Sequence, residues 1–239
     1  MNENDLNLML LMGEPILVSD GLHLHVPKLR EIIAMSESKY NELLSALLFD
    51  KGNIDGLDDD RLTSFEVLFA YCFHNVEFKN IIFNALKLIF KEEAQMGDDG
   101  SNVFFYFDDS KKIDNSNFDF IQEVLKRANY IKVDNEPEFN PANSKAAQMI
   151  ELIKKGKKSK PRPKETMNLH SIISGLAWKA KDVNIFSIFD LTIYQLYNGF
   201  YTTENIDNYH HTLQGIYAGT VDGKDIKFDQ IHWAKILDK

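Results

Sequence analysis

The stretch Ile185–Gly219, IFSIFDLTIYQLYNGFYTTENIDNYHHTLQGIYAG, decides how the C-terminal part of this chain is read. Ile185, Ile188, Phe189, Thr192, Leu196 and Phe200 recur at spacings of three and four, the period of one helix face. Ile193, Tyr194 and Tyr197 widen that stripe beyond what one neighbouring element covers, so a second contact surface is expected. Gly199 stands where a left-handed cap commonly ends a helix, and Thr202 or Thr203 then caps the next one, TENIDNYHHTLQGIYAG. With MNLHSIISGLAWKA ahead of it, the region reads as three helices, followed by a loop around Val221-Asp222-Gly223 and a short apolar patch, IHWAKIL. Tyr194, Tyr197, Tyr201 and Tyr209 offer large contact area with a polar tip, and with Phe200 and Trp233 they form the expected partner-binding set.

Directly upstream the character changes. Lys154, Lys155, Lys157, Lys158, Lys160, Arg162 and Lys164 bring seven cations with no acid between them, and Pro161 and Pro163 stop any helix there. Setting those seven charges aside from the net −9 leaves −16 on the remainder, so one basic strap joins two acidic bodies. Such a strap serves as a solvated linker, as a clamp for a phosphate backbone, or as a cover for an acidic surface of a partner or of its own chain. The expected organisation is an α+β domain over residues 1–153, a basic linker over 154–164 and a helical module over 165–239, a mainly α protein with a minor β component.

In the N-terminal part, Ser19-Asp20-Gly21 has turn chemistry, and Leu22, Leu24 and Val26 alternate with His23 and His25, a strand or hairpin signal ended by Pro27. A helix carrying Leu29, Ile32 and Ile33 on one face follows, then YNELLSALLF capped by Ser36 or Ser38. Thr63 or Ser64 with Glu66 opens FEVLFAYCFHNVEFKNIIFNALKLIFKEEAQ, apolar nearly all round and read as one long core segment. After a turn at MGDDGSN come the apolar run NVFFYFDD and the helix FDFIQEVLKRANYI, capped by Asn115 or Ser116, with Phe118, Ile121, Leu125 and Ala128 facing inward. The segment NPANSKAAQMIELIKK reads as a capped helix running into the strap.

Composition excludes several classes. With 44% hydrophobic and 12% aromatic residues the chain has ample material for a core. MNENDLNLML lacks the positive charge of a secretory signal, and the apolar run ends too soon to span a bilayer, so a cytoplasmic protein is expected. The single Cys72, inside VLFAYCFH, is expected to be a buried, inert thiol.

DKGNIDGLDDDR resembles a calcium loop only until its register is tested. Placing Gly56 at the glycine position puts Lys51 at the first ligand and Leu62 at the last, so the loop is acidic without being an EF-hand. His23 and His25 share a strand face but have no third ligand at matching spacing, and His210 and His211 point about 100° apart on a helix. No nucleophile elbow, phosphate-binding loop, dinucleotide fingerprint or zinc-protease motif occurs. No catalytic residue, metal or cofactor is assigned, and the chain is expected not to be an enzyme.

Three blocks taken in order, EPEFNPANSKAAQMIELIKKGKKSKPRPK, LHSIISGLAWKAKDVNIFSIFDLTIYQLYNGF and NIDNYHHTLQGIYAGTVDGKDIKFDQIHW, resemble the C-terminal part of phage tail assembly chaperones from tail morphogenesis clusters of Gram-positive hosts. That resemblance implies a compact N-terminal domain, a lysine-rich joint, a helical module and an end near a tryptophan like Trp233. It also implies a non-enzymatic helper in the host cytoplasm that binds the tape-measure protein and helps recruit tail-tube subunits. The free chain is expected to be monomeric or weakly self-associating. The alternative expectation is a phage nucleic-acid-associated or host-interaction protein that uses the strap.

Overall fold

The structure, a computed structural model, describes residues 2–53, 61–131, 167–180 and 183–237. The strap, the helix expected ahead of it and most of the acidic loop after Lys51 lie outside these residues. Among them are nine α-helices and five strands in two small antiparallel sheets, so the protein is mainly α with a minor β component.

Helix α1 (Glu3–Met12) is capped by Asn2 and ends at Gly13, whose φ of 78° is left-handed. The chain turns into a hairpin, β1 (Ile16–Ser19) and β2 (Leu22–Leu24), pairing Ile16 with Leu24. Ile16, Leu22 and Leu24 are fully buried, which is the alternation expected of a sheet with one face on a core. Helices α2 (Leu29–Met35) and α3 (Glu37–Leu47) follow. Leu29 and Ile32 face inward, but Ile33, expected on the same face, is 48% exposed. A buried amide missed in the sequence, Gln122, donates to the carbonyls of Leu47 and Phe49, both at 2.9 Å, and so satisfies the carbonyl end of α3.

The long apolar segment is two helices, α4 (Ser64–His74) and α5 (Val76–Phe90), rather than one. Asn75 makes the break: its backbone is extended, and its side chain accepts from the Phe78 N–H at 3.0 Å, capping α5. Thr63 and Glu66 form the expected capping box for α4. Phe65, Leu68 and Phe69 are buried, whereas Phe73 is exposed. Cys72 is buried, and burial pushes its thiol up to about 12.

The expected turn at MGDDGSN contains a strand. β3 (Gln95–Asp98), β4 (Val103–Tyr106) and β5 (Lys112–Ile113) form a meander in which Met96 and Ile113 flank Phe105. Phe105 sits amid Phe65, Phe69 and Phe83 at 5.3–6.2 Å between ring centroids. A Cβ on Gly97 would lie 2.6 Å from the Phe104 ring, so the strand pair tolerates only glycine there without moving that ring. Helix α6 (Phe118–Ala128) buries Phe118, Ile121, Leu125 and Ala128 as expected. Its cap position is Asn117 rather than Asn115 or Ser116, because Ser116 instead donates to Asp114 within the preceding turn.

Beyond the strap, α7 (Leu169–Lys179) and α8 (Ile193–Tyr217) pack onto this body, with the short α9 (Phe228–Ile231) near the end. Leu169, Ile173, Leu176, Ile188, Ile193 and Leu196 join the same hydrophobic cluster as α1 to α6.

Ser36, between α2 and α3, has φ 80° and ψ 145°, a region that glycine occupies freely and serine does not. Its side chain accepts from the Lys39 N–H at 3.3 Å, a long cap bond. Ser36→Gly is expected to raise stability by about 1 kcal/mol, because relief of strain exceeds the few tenths lost at the cap and the added freedom of the unfolded chain. An increase in the denaturant midpoint at unchanged slope checks this.

Candidate docking surface

Two helices were expected within Asn184–Gly219, and one long helix is found. The first half of the expected middle helix is not α-helical. Asn184 and Ser187 exchange side-chain and backbone hydrogen bonds in a tight turn, a 3-10 turn covers Ile188–Asp190, and Leu191 is extended. Leu29 N–H donates to the Leu191 carbonyl at 2.9 Å, and Ile193 N–H donates to the Pro27 carbonyl at 3.1 Å. This two-bond clasp holds residue 191 out of helical geometry. Helix α8 therefore starts at Ile193, with Thr192 and Gln195 forming a capping box. Gln195 also donates to the Leu11 carbonyl at 2.9 Å, tying the new helix to the end of α1.

Gly199, Thr202 and Thr203 cap nothing, since α8 runs through them. The left-handed cap is Gly219, with φ 70°; its N–H donates to Ile216 O and the Thr220 N–H to Gly215 O, the two bonds of a Schellman ending.

The aromatic residues expected on one docking face fall into two groups. Tyr194 is 3% exposed and belongs to the core. Tyr194, Tyr197 and Tyr201 surround Tyr130 at 5.4, 5.9 and 5.3 Å between centroids. Asn198 Nδ2 donates to the Tyr130 hydroxyl at 3.0 Å, and the Tyr40 hydroxyl donates to Asn129 Oδ1 at 2.8 Å beside it. Tyr130 has φ 52° at the end of α6, where its N–H reaches Arg127 O and the Ile131 N–H reaches Lys126 O. A tyrosine in that left-handed position costs about 1–2 kcal/mol, offset by ring contacts of about 0.5–1.5 kcal/mol each. Periodicity could not point to Tyr130, because its partners lie more than sixty residues later in the chain.

Phe200 is half-buried beside Tyr201 and lines a cleft of about 270 Å³ between α7 and α8, whose lining includes the ion-paired Lys179 and Asp207. Tyr209 belongs to the second group. His232 meets it in a tilted ring contact at 5.3 Å and stacks on Trp233 at 5.4 Å, so the chain after Gly219 folds back along the outer turns of α8. His232 was missed in the sequence, although its place beside Trp233 marked it. A Cβ on Gly215 would come within 2.8 Å of Val221, which fixes where that returning segment lies.

None of the described residues after Leu196 is fully buried. Trp233 is 47% exposed, Tyr217 83% and Ile236 88%, with Trp178 on α7 and Phe186 in the preceding turn similarly bare. His210 and His211 are exposed. Among the described residues no group of three or more histidine, cysteine or acidic side chains is placed to hold a metal, and no helix is long and apolar enough to cross a membrane.

Burial holds Tyr40, Tyr130, Tyr194 and Tyr197 above the ordinary phenol range. Folding thus favours their neutral form, a stabilisation fully present below the unfolded value near pH 10 and lost as pH rises past it. The denaturant midpoint is expected to fall above about pH 10, less steeply in Tyr130→Phe. Tyr130→Ala is expected to cost about 2–3 kcal/mol and Tyr130→Gly about 1 kcal/mol less, since glycine relieves the left-handed strain. Equilibrium unfolding of the two variants checks the order.

Residues 156–238 match a family model described as YomV second domain, a phage-derived family. No curated protein matches the chain, and no solved structure does. The match begins inside the strap and includes α7, α8 and the returning end. The C-terminal part of this chain is thus similar to a phage-derived domain.

Proposed function

We propose that this chain is a non-enzymatic assembly protein of the phage tail chaperone type, acting in the host cytoplasm. It holds the apolar faces of a helical tape-measure protein and helps bring tail-tube subunits to it. The observation that carries this reading is the set of large apolar side chains left bare in the matched region: Trp178, Phe186, Tyr217, Trp233 and Ile236. Uncovered aromatic surface of this kind is characteristic of protein–protein contact. The outer turns of α8 with the returning end present Tyr209, Tyr217 and Trp233 at a distance from the core, and the acidic remainder of the chain keeps a loaded complex soluble. Tyr194 and Tyr197 act in this reading by anchoring the helix that carries the contact residues. The strap joins the two parts.

The test is co-expression with the tape-measure protein of the same phage and affinity capture at moderate salt. Wild type is expected to keep that protein soluble and to retain it, and Tyr217→Ser/Trp233→Ser, both at exposed positions, is expected to lose it while keeping its circular dichroism and unfolding midpoint. If capture fails, and the chain instead binds DNA with an affinity that drops steeply with salt, the reading falls and the strap is the working element.

A further inference from the structure

A groove of about 480 Å³ lies away from the outer part of α8, where the N-terminal body meets α7. Its walls are Ile33 of α2, Leu169 and Ile173 of α7, and Ile185 and Phe189 of the turn before α8; its polar groups are Glu37, His170 and Ser174. The groove is preformed, since Ile173 and Leu169 are held in the common core and the Leu191 clasp fixes the 185–189 wall. Its size falls within the range of ligand sites, and its lining has the usual character of such sites, apolar with a few polar groups.

Two observations say what kind of occupant fits. Apolar surface continues past the groove: Ile33 is 48% exposed, and Met167 and Phe186, next to the lining residues in the chain, are 56% and 88% exposed. A small molecule filling the groove would leave that rim bare, whereas a length of polypeptide covers both. The charge at the rim is negative. Glu37 has no ion pair among the described residues, and the chain outside the strap is strongly acidic. We infer that this groove docks an amphipathic helix of a partner protein, one that places aliphatic or aromatic side chains between α2 and α7 and a lysine or arginine opposite Glu37. The mode is helix-in-groove recognition, with apolar anchors supplying affinity and the charge supplying orientation. It shares Phe186 with the contact residues proposed above but uses none of Tyr209, Tyr217 and Trp233, and different substitutions test the two, so this inference and the proposed function fail separately.

The experiment titrates the full, methyl-labelled chain with a synthetic Leu/Lys amphipathic helical peptide and with its Leu/Glu counterpart, following methyl resonances by NMR. The Leu/Lys peptide is expected to shift Ile33, Leu169, Ile173 and Ile185. Ile33→Ser, at a half-exposed position, is expected to weaken it about tenfold. Glu37→Gln is expected to weaken the Leu/Lys peptide several-fold and, by removing a like-charge repulsion, to tighten the Leu/Glu peptide, so that the two approach equal affinity. Because both variants keep the buried walls intact, their unperturbed core methyl signals certify folding. The inference is overturned if neither peptide shifts the groove methyls, if the two bind equally well to wild type, or if binding maps only to the α8 end. It is also overturned if the groove methyls report contact with another part of the chain that no peptide displaces.

Discussion

Two backbone hydrogen bonds, between Leu29 N–H and Leu191 O and between Ile193 N–H and Pro27 O, decide where the C-terminal half of this protein attaches. Thr192, Leu29 and Ile193 are all buried at this point, and buried amides must be paired somewhere. Pairing them with residues 27–29 forces an extended backbone at Leu191, and the α-helix can begin only after it. The adjacent Arg30–Asp190 ion pair is more than half exposed on both sides and adds little beyond orientation. From that fixed start, the direction of α8 follows: its first turns lie against α1 and α6, and its remaining turns extend past the body.

The aromatic excess of the C-terminal part is thereby divided by position along one helix. Near the clasp, Tyr194, Tyr197 and Tyr201 close around Tyr130, and the left-handed strain at Tyr130 persists because the surrounding rings over-determine its place. About 12 Å further along the axis from Tyr201, at the usual rise per residue, the Tyr209 ring meets His210 of its own helix and His232 of the returning end of the chain. The inner group sets the orientation of the helix, and the outer group keeps area to offer. A flexible appendage would lose more entropy on binding than this anchored helix does, which favours the use of preorganised apolar surface for holding a partner.

The same clasp also builds the groove between α2 and α7, because it fixes Ile185 and Phe189 opposite Ile33. Surfaces at two places, one at the junction of the two halves and one at the outer end of α8, suit a protein whose work is contact. Both are apolar, and both stand on a chain that is acidic outside the strap.

Local chemistry in the sequence determined much of this protein. The period of two at Leu22–Leu24, the Thr63–Glu66 capping box, the inward face of α6 and the apolar character around Cys72 depend on residues within a few positions of one another, and they appear as read, although the strand stops short of His25 and Val26. The mainly helical class with a little β follows from the same patterns. What tertiary structure alone decided are the features whose causes are distant in the chain. β3 forms because β4 is there to pair with it, and Leu191 is extended because residues 27–29 need its backbone; Asn75, by contrast, splits the long apolar segment by a local cap bond to Phe78, three residues on. Gly199 has the composition of a helix end, yet with the start of α8 set by the clasp the helix continues to Gly219, where the Schellman bonds close it. Tyrosines at helical spacing are legible as a stripe, but which of them face inward depends on Tyr130, which no period within α8 reveals.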